Sequence, residues 1–193
     1  LMAACFVVGS LATRLGYRVK AGRGIAQEKG GARGWRNAWA NGGVPALLAL
    51  MVGAAPSEMQ PLYLLAYAAA VATAAADTCS SEVGKAYGRR TFLITTLRPV
   101  PPGTEGAVSL EGTLGGLLGA ALVAGLGAAL GLYPWLAAVL VAVAGLLGSL
   151  AESVLGTVAE RKGWLDNDLL NALNTALGAV FVVFLLRLFP LSS

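Results

Sequence analysis

The sequence reads as an all-α, polytopic transmembrane bundle of about six spans, forming a single membrane domain over residues 1–193. Three observations predict this. First, 56% of residues are hydrophobic and only 12% are charged, with a mean hydropathy of +0.70, whereas soluble domains carry about 25% charged residues. Second, residues 112–151 contain no charge at all, enough for two crossings at about 20 residues each. Third, of the 14 Lys and Arg residues all but Arg187 fall in three stretches of chain.

The spans follow in order. Residues 1–17 supply the first. Residues 1–12 have the apolar character of a signal-peptide core, but no basic segment precedes them, so they read as part of a span. Residues 37–76 carry one charge, Glu58, between Pro56 and Pro61, which predicts two spans and a short turn. Within 112–151 the run Leu132-Tyr133-Pro134-Trp135 breaks the helix with a proline and an interfacial aromatic pair. Residues 168–189 supply the last span. The basic residues then alternate with the turns. Arg14, Arg18, Lys20, Arg23, Lys29, Arg33 and Arg36 fall at the first connection. Lys85, Arg89, Arg90 and Arg98 fall at the third, and Arg161 and Lys162 at the fifth. The positive-inside bias makes these the cytoplasmic loops, with both ends of this chain on the far side.

Small residues spaced by four (Gly112/Gly116, Gly115/Gly119, Gly127/Gly131) predict close helix packing. Trp35, Trp39 and Trp164 read as interfacial anchors. The positional bias accounts for the +4 net charge better than nucleic-acid binding does. Cys5 and Cys79 do not suggest a structural disulfide. There is no His, which excludes imidazole acid–base chemistry and His-ligated metals. No nucleophile elbow, CxxC pair or Walker-type phosphate loop is present.

The remaining polar residues gather at the cytoplasmic ends of apolar helices. The third span ends in Asp77-Thr78-Cys79-Ser80-Ser81-Glu82-Val83-Gly84-Lys85, with Asp77, Ser81 and Gly84 on one helical face and Thr78 and Glu82 on the adjacent one. A carboxylate at a span end is costly unless it is paired or holds a cation. Arg98-Pro99-Val100-Pro101-Pro102-Gly103-Thr104-Glu105-Gly106 then leads into a helix whose first turns hold Ser109, Glu111 and Thr113. Prolines stiffen that approach, glycines allow close backbone contact, and a helix start attracts phosphate. Together with Lys85 and Arg98 this has the composition of a Mg²⁺–nucleotide site. Further polar stripes are Asn37 and Asn41 on the second span, Ser149, Glu152 and Ser153 on the fifth, and Asn171, Asn174 and Thr175 on the sixth. Four stripes at one depth predict one shared cavity.

These stretches resemble the phytyl-phosphate kinase family of polyprenyl-phosphate membrane enzymes, and more distantly the group holding dolichol kinase and CDP-diacylglycerol synthase. The resemblance runs from Arg36-Asn37-Ala38-Trp39-Ala40-Asn41-Gly42-Gly43 through Asp77-Thr78 and Glu82-Val83-Gly84, Ile94-Thr95-Thr96-Leu97, Val100–Ser109 and Gly148–Ser153 to Asn171–Thr175. It implies transfer of a phosphoryl group from an NTP, CTP first among them, to a prenyl monophosphate. It also implies helices upstream of Leu1.

The resulting expectation is a kinase of the bacterial cell membrane, active at its cytoplasmic face. Asp77, Glu82 and Glu105 would hold Mg²⁺. Lys85, Arg98, Gly103, Thr104, Gly106 and Ser109 would bind the triphosphate. Asn37, Asn41, Ser149, Glu152, Asn171 and Asn174 would line the acceptor pocket. The alternatives are a CTP-dependent cytidylyltransferase making a CDP-lipid and, from another class, a small-solute transporter. The transporter is disfavoured because the polar groups stop at one side of the bilayer.

Overall fold

The computed structural model describes residues 1–27, 35–159 and 166–191. Lys29, Arg33, Arg161 and Lys162, and the expected anchor Trp164, lie outside the described residues. The elements are α1 (Met2–Arg14), α2 (Tyr17–Gly22), α3 (Trp35–Ala54), α4 (Gln60–Tyr87), β1 (Phe92–Leu93), β2 (Ala107–Val108), α5 (Leu110–Ala129), α6 (Trp135–Ala159) and α7 (Asn167–Leu188).

Local chemistry sets the boundaries. Pro61 sits in the first turn of α4, where its missing N–H costs nothing. Ser109 caps α5, its Oγ accepting from Gly112 N at 3.1 Å. Asp166 caps α7, its Oδ1 accepting from Leu169 N at 2.9 Å. Between α5 and α6 the Tyr133 hydroxyl donates to Ala124 O at 3.1 Å and ties the turn back onto the bundle.

The axis of the bundle is α4. Its residues from Leu65 to Ala76 are buried except Tyr67, and eight of those twelve are alanine. Helices α1, α3, α5, α6 and α7 all pack on it. In lipid such contacts rest on close van der Waals fit, which small residues permit. The expected glycine stripe does this work. A Cβ at Gly112 would sit 2.8 Å from Ser80 O, and one at Gly119 would sit 2.7 Å from Cys79 Sγ. On the other side Gly148 of α6 and Gly178 of α7 both close on Thr73, where added Cβ atoms would lie 2.6 Å from Cγ2 and 1.9 Å from Oγ1.

The expected all-α membrane bundle is thus observed, but the span count is corrected. Four helices, α4 to α7, are long and apolar enough to cross a membrane among the described residues. At 13 residues, α1 is too short. The 20 residues of α3 are long enough, but Asn37, Asn41, two glycines and Pro45 make its first half polar and irregular. Trp35 and Trp39 stand exposed at that end, as interfacial anchors would.

One element was not foreseen. The connection from α4 to α5 folds into a β-hairpin, Phe92 opposite Val108 and Leu93 opposite Ala107. It lies at the end of the bundle where α4 finishes and α5 begins.

Candidate functional site

The hairpin closes over a cavity of about 130 Å³ set among the end of α4, the start of α5, the last turns of α6 and the start of α7. Helical spacing turns Asp77, Ser80, Ser81 and Gly84 of α4 toward it, and Ser149, Glu152, Ser153 and Gly156 of α6 face them. The roof is the segment Gly103-Thr104-Glu105-Gly106. Gly106 is required there. Its φ is +70°, and a Cβ would meet Thr157 Oγ1 at 2.2 Å and Ser153 O at 2.7 Å. No other residue can bring the loop backbone this close to α6. Thr104 Oγ1 donates to Pro101 O at 2.8 Å and holds the turn before it.

Three carboxylates, Asp77, Glu105 and Glu152, stand among the serines and glycines of the lining. Glu152 is hydrogen-bonded to Asp77 and within Coulombic reach of Glu105. From behind, the buried Asn174 amide donates to Glu152 Oε2. Ser80 Oγ and Ser149 Oγ meet at 3.3 Å between α4 and α6. Lys85 is the only basic residue among the described lining residues. Two ionised carboxylates in contact repel each other, and a cation placed between them removes that cost. The cavity's lining is mostly polar, which suits phosphate oxygens with a small cation better than a prenyl chain. Among the described residues, no group of three or more His, Cys, Asp or Glu is arranged to hold a metal. Mg²⁺, however, needs only one or two carboxylates when phosphates complete its shell.

Of the residues expected from the sequence, Asp77, Glu105, Lys85, Gly103, Thr104, Gly106, Ser109, Ser149 and Glu152 all line this cavity. Asn171 and Asn174 are buried on α7, and Asn174 reaches the cavity's edge through its bond to Glu152. Ser109 spends its hydroxyl on capping α5. Others are not brought together with them. Glu82 turns to a different side of α4, where it is buried and ion-paired with Lys20. Arg98 is exposed at the hairpin tip, its carbonyl accepting from Leu93 N at 3.0 Å. Asn37 and Asn41 lie across α4 in a second, apolar cavity of about 150 Å³ between α1, α3 and α4. There the Asn41 side-chain amide donates to Asn37 O at 3.1 Å. The four polar stripes therefore serve two cavities, separated by α4.

Sequence reasoning missed Ser80 and Asn167 as lining residues, and it missed Lys20 as a buried partner. The i, i+3 spacing from Asp77 was a signal for Ser80. Nothing in the basic first connection marked Lys20 out from its neighbours.

A family profile described as "Integral membrane protein DUF92" matches residues 1–179. The chain is 43% identical over 181 residues to an uncharacterized membrane protein of Synechocystis, covering 93% of this chain and 70% of that protein. It is 40% identical over 194 residues to "Protein VTE6, chloroplastic" of Arabidopsis thaliana, covering 96% of this chain and 57% of that one. An uncharacterized membrane protein of Methanocaldococcus jannaschii is 34% identical over 186 residues, covering 96% and 74%. The chain thus spans little more than half of the Arabidopsis relative. No solved structure matches.

Proposed function

This chain belongs to the DUF92 family of integral membrane proteins, and from that premise we propose that it is a membrane-embedded kinase that phosphorylates a prenyl monophosphate, phytyl-like in class, from an NTP such as CTP. The observation that carries the reading is the Asp77–Glu152 carboxyl contact beneath a glycine-bearing loop, with Lys85 beside it. The motif resemblance to phytyl-phosphate kinases supports it, since its stretches fall within residues 1–179.

On this reading Lys85 and the backbone amides of Gly103–Gly106 bind the β- and γ-phosphates. Asp77 and Glu152, with Glu105 at the open mouth, offer hard carboxylate oxygens that fit Mg²⁺. When bound, the ion supplies charge neutralisation to the phosphate oxygens. Asn174 holds the Glu152 carboxylate in place. The Ser80, Ser149 and Ser153 hydroxyls orient the acceptor phosphate. That phosphate already carries an ionised oxygen, so no general base is needed. Its oxygen bonds to the γ-phosphorus as the bond from γ-phosphorus to the β-bridging oxygen breaks, and NDP leaves with that electron pair. Catalysis is then positioning and electrostatics. The tail of the acceptor extends outward between helices into lipid, and the basic end of the bundle faces the cytoplasm of a bacterial cell.

Among the described residues no aromatic side chain lines the cavity, so none of them grips a base by stacking, and we read the nucleotide preference as loose. This favours a kinase over a cytidylyltransferase. The test is incubation of the chain with a prenyl monophosphate, Mg²⁺ and NTP labelled at the α- or γ-phosphate. The γ-label should appear in a prenyl diphosphate. An α-label in a CMP-bearing lipid, with the γ-label in pyrophosphate, would make the protein a cytidylyltransferase.

A further inference from the structure

We propose that the buried Lys20–Glu82 ion pair is a clasp that seats the roof of the polar cavity, so that Glu82 is a positioning residue acting through Lys20 and the loop. The Lys20 and Glu82 side chains are 0% and 3% exposed. Lys20 Nζ donates to Glu82 Oε2 and, at 2.8 Å, to Thr13 O. The corner between α1 and α2 is pressed onto α4 here. Gly16 has φ +61°, and a Cβ on it would lie 2.7 Å from that of Ala86.

From the clasp two short chains of contact reach the site. Ile25 N donates to Lys20 O at 3.1 Å. The Ile25 side chain covers Gly103, where a Cβ would lie 3.0 Å from Ile25 Cγ2. Arg23 Nη1 donates to Lys85 O at 2.8 Å. One branch therefore supports the first residue of the roof and the other supports the lysine of the cavity. Burying two ions costs several kcal/mol each before their attraction is counted, and an apolar pair would hold two helices as firmly. The pair instead sets one register of α2 on α4, and through it one position of Ile25 over Gly103.

The naming of a nucleotide rests on the kinase reading, but the test of the clasp does not. Hydrogen exchange is measured on the full chain in lipid nanodiscs without substrate. The readout is the amides of Thr104 and Ala107, which bond to Pro101 O at 3.3 Å and Thr104 O at 3.1 Å. Lys20→Ala leaves the Glu82 carboxylate buried and unpaired, and should speed exchange in the roof about tenfold or more while α5 to α7 stay protected. The double variant Lys20→Met/Glu82→Met refills the same space without charge and should keep roof exchange within about threefold of the unaltered chain. In turnover, Lys20→Ala should raise KM for NTP with little change in kcat, and the double variant should behave as the unaltered chain. Unchanged roof exchange in Lys20→Ala overturns the proposal. So does loss of turnover in the double variant with roof exchange intact, because Glu82 would then act on the reacting groups. If the unaltered chain turns over no NTP, the kinase reading falls, and the exchange result still decides the clasp.

Discussion

Replacing Gly106 by alanine tests whether the loop from Gly103 to Gly106 must lie against α6 for the site to work. The backbone there has φ +70°, which costs an L-residue roughly 1–2 kcal/mol. The new Cβ would also fall 2.2 Å from Thr157 Oγ1, 2.7 Å from Ser153 O and 3.1 Å from Thr157 N. Two of those three atoms are backbone of α6 and cannot rotate away, and relieving such crowding costs about 1–3 kcal/mol more. The total of roughly 2–5 kcal/mol reduces the docked loop at least about thirtyfold. The loop is outside the bundle core, so the melting temperature should move little. NTP affinity should fall by about that factor, read as KM in the labelled-NTP assay and as Kd by calorimetry. Gly131 is the control. It too has positive φ, +71°, but nothing lies within 4 Å of an added Cβ. Gly131→Ala should therefore cost stability slightly and leave activity alone. A Gly106→Ala protein with normal KM would refute the claim that the loop forms the roof of the nucleotide site.

Asp77→Asn and Glu152→Gln should each lower turnover by about 10²-fold or more, with melting within a few degrees of the unaltered chain, as thermal scans in detergent would show. Lys85→Ala should raise KM for NTP about tenfold or more, the loss of a charge-assisted phosphate contact. Arg98→Ala, at the exposed hairpin tip, should change it by less than about threefold. Gly178→Ala forces α7 away from Thr73 and should lower the melting temperature by roughly 3–10 °C. Cysteines placed at Arg90 and at Glu58 should label from opposite sides of the membrane, the first from the cytoplasm.

The helices of the bundle were legible because long charge-free runs leave no other structure available in a membrane. The breaks at Pro56–Pro61 and Tyr133-Pro134 fall where the structure turns. The sequence does not mark where α1 stops short, and the polar first half of α3, with Asn37 and Asn41, was outweighed by the apolar run that follows it. The β-hairpin has strands of two residues each, too short to show alternation. In the site, carboxylates at span ends and the Pro-Gly loop singled out Asp77, Glu105, Gly103 and Gly106, which the structure brings to the lining of one cavity. The placing of Glu82 with Asp77 did not follow from helix geometry, since five residues carry a side chain about 140° around the axis. Its partner Lys20 sits among loop cations and is marked by no sequence pattern as buried. Asn37 and Asn41 share the depth of the other polar stripes, but depth does not say on which side of α4 a residue lies.

Where a divalent cation and the γ-phosphate bind is the most direct test of the site. Crystals of the full chain soaked with Mn²⁺ and a β,γ-imido nucleotide would locate both, the metal by its anomalous signal. The predicted result is a metal peak between Asp77 and Glu152, with the terminal phosphates under Gly103–Gly106 and beside Lys85. A peak at Glu82, or nucleotide density in the apolar cavity between α1, α3 and α4, would contradict it.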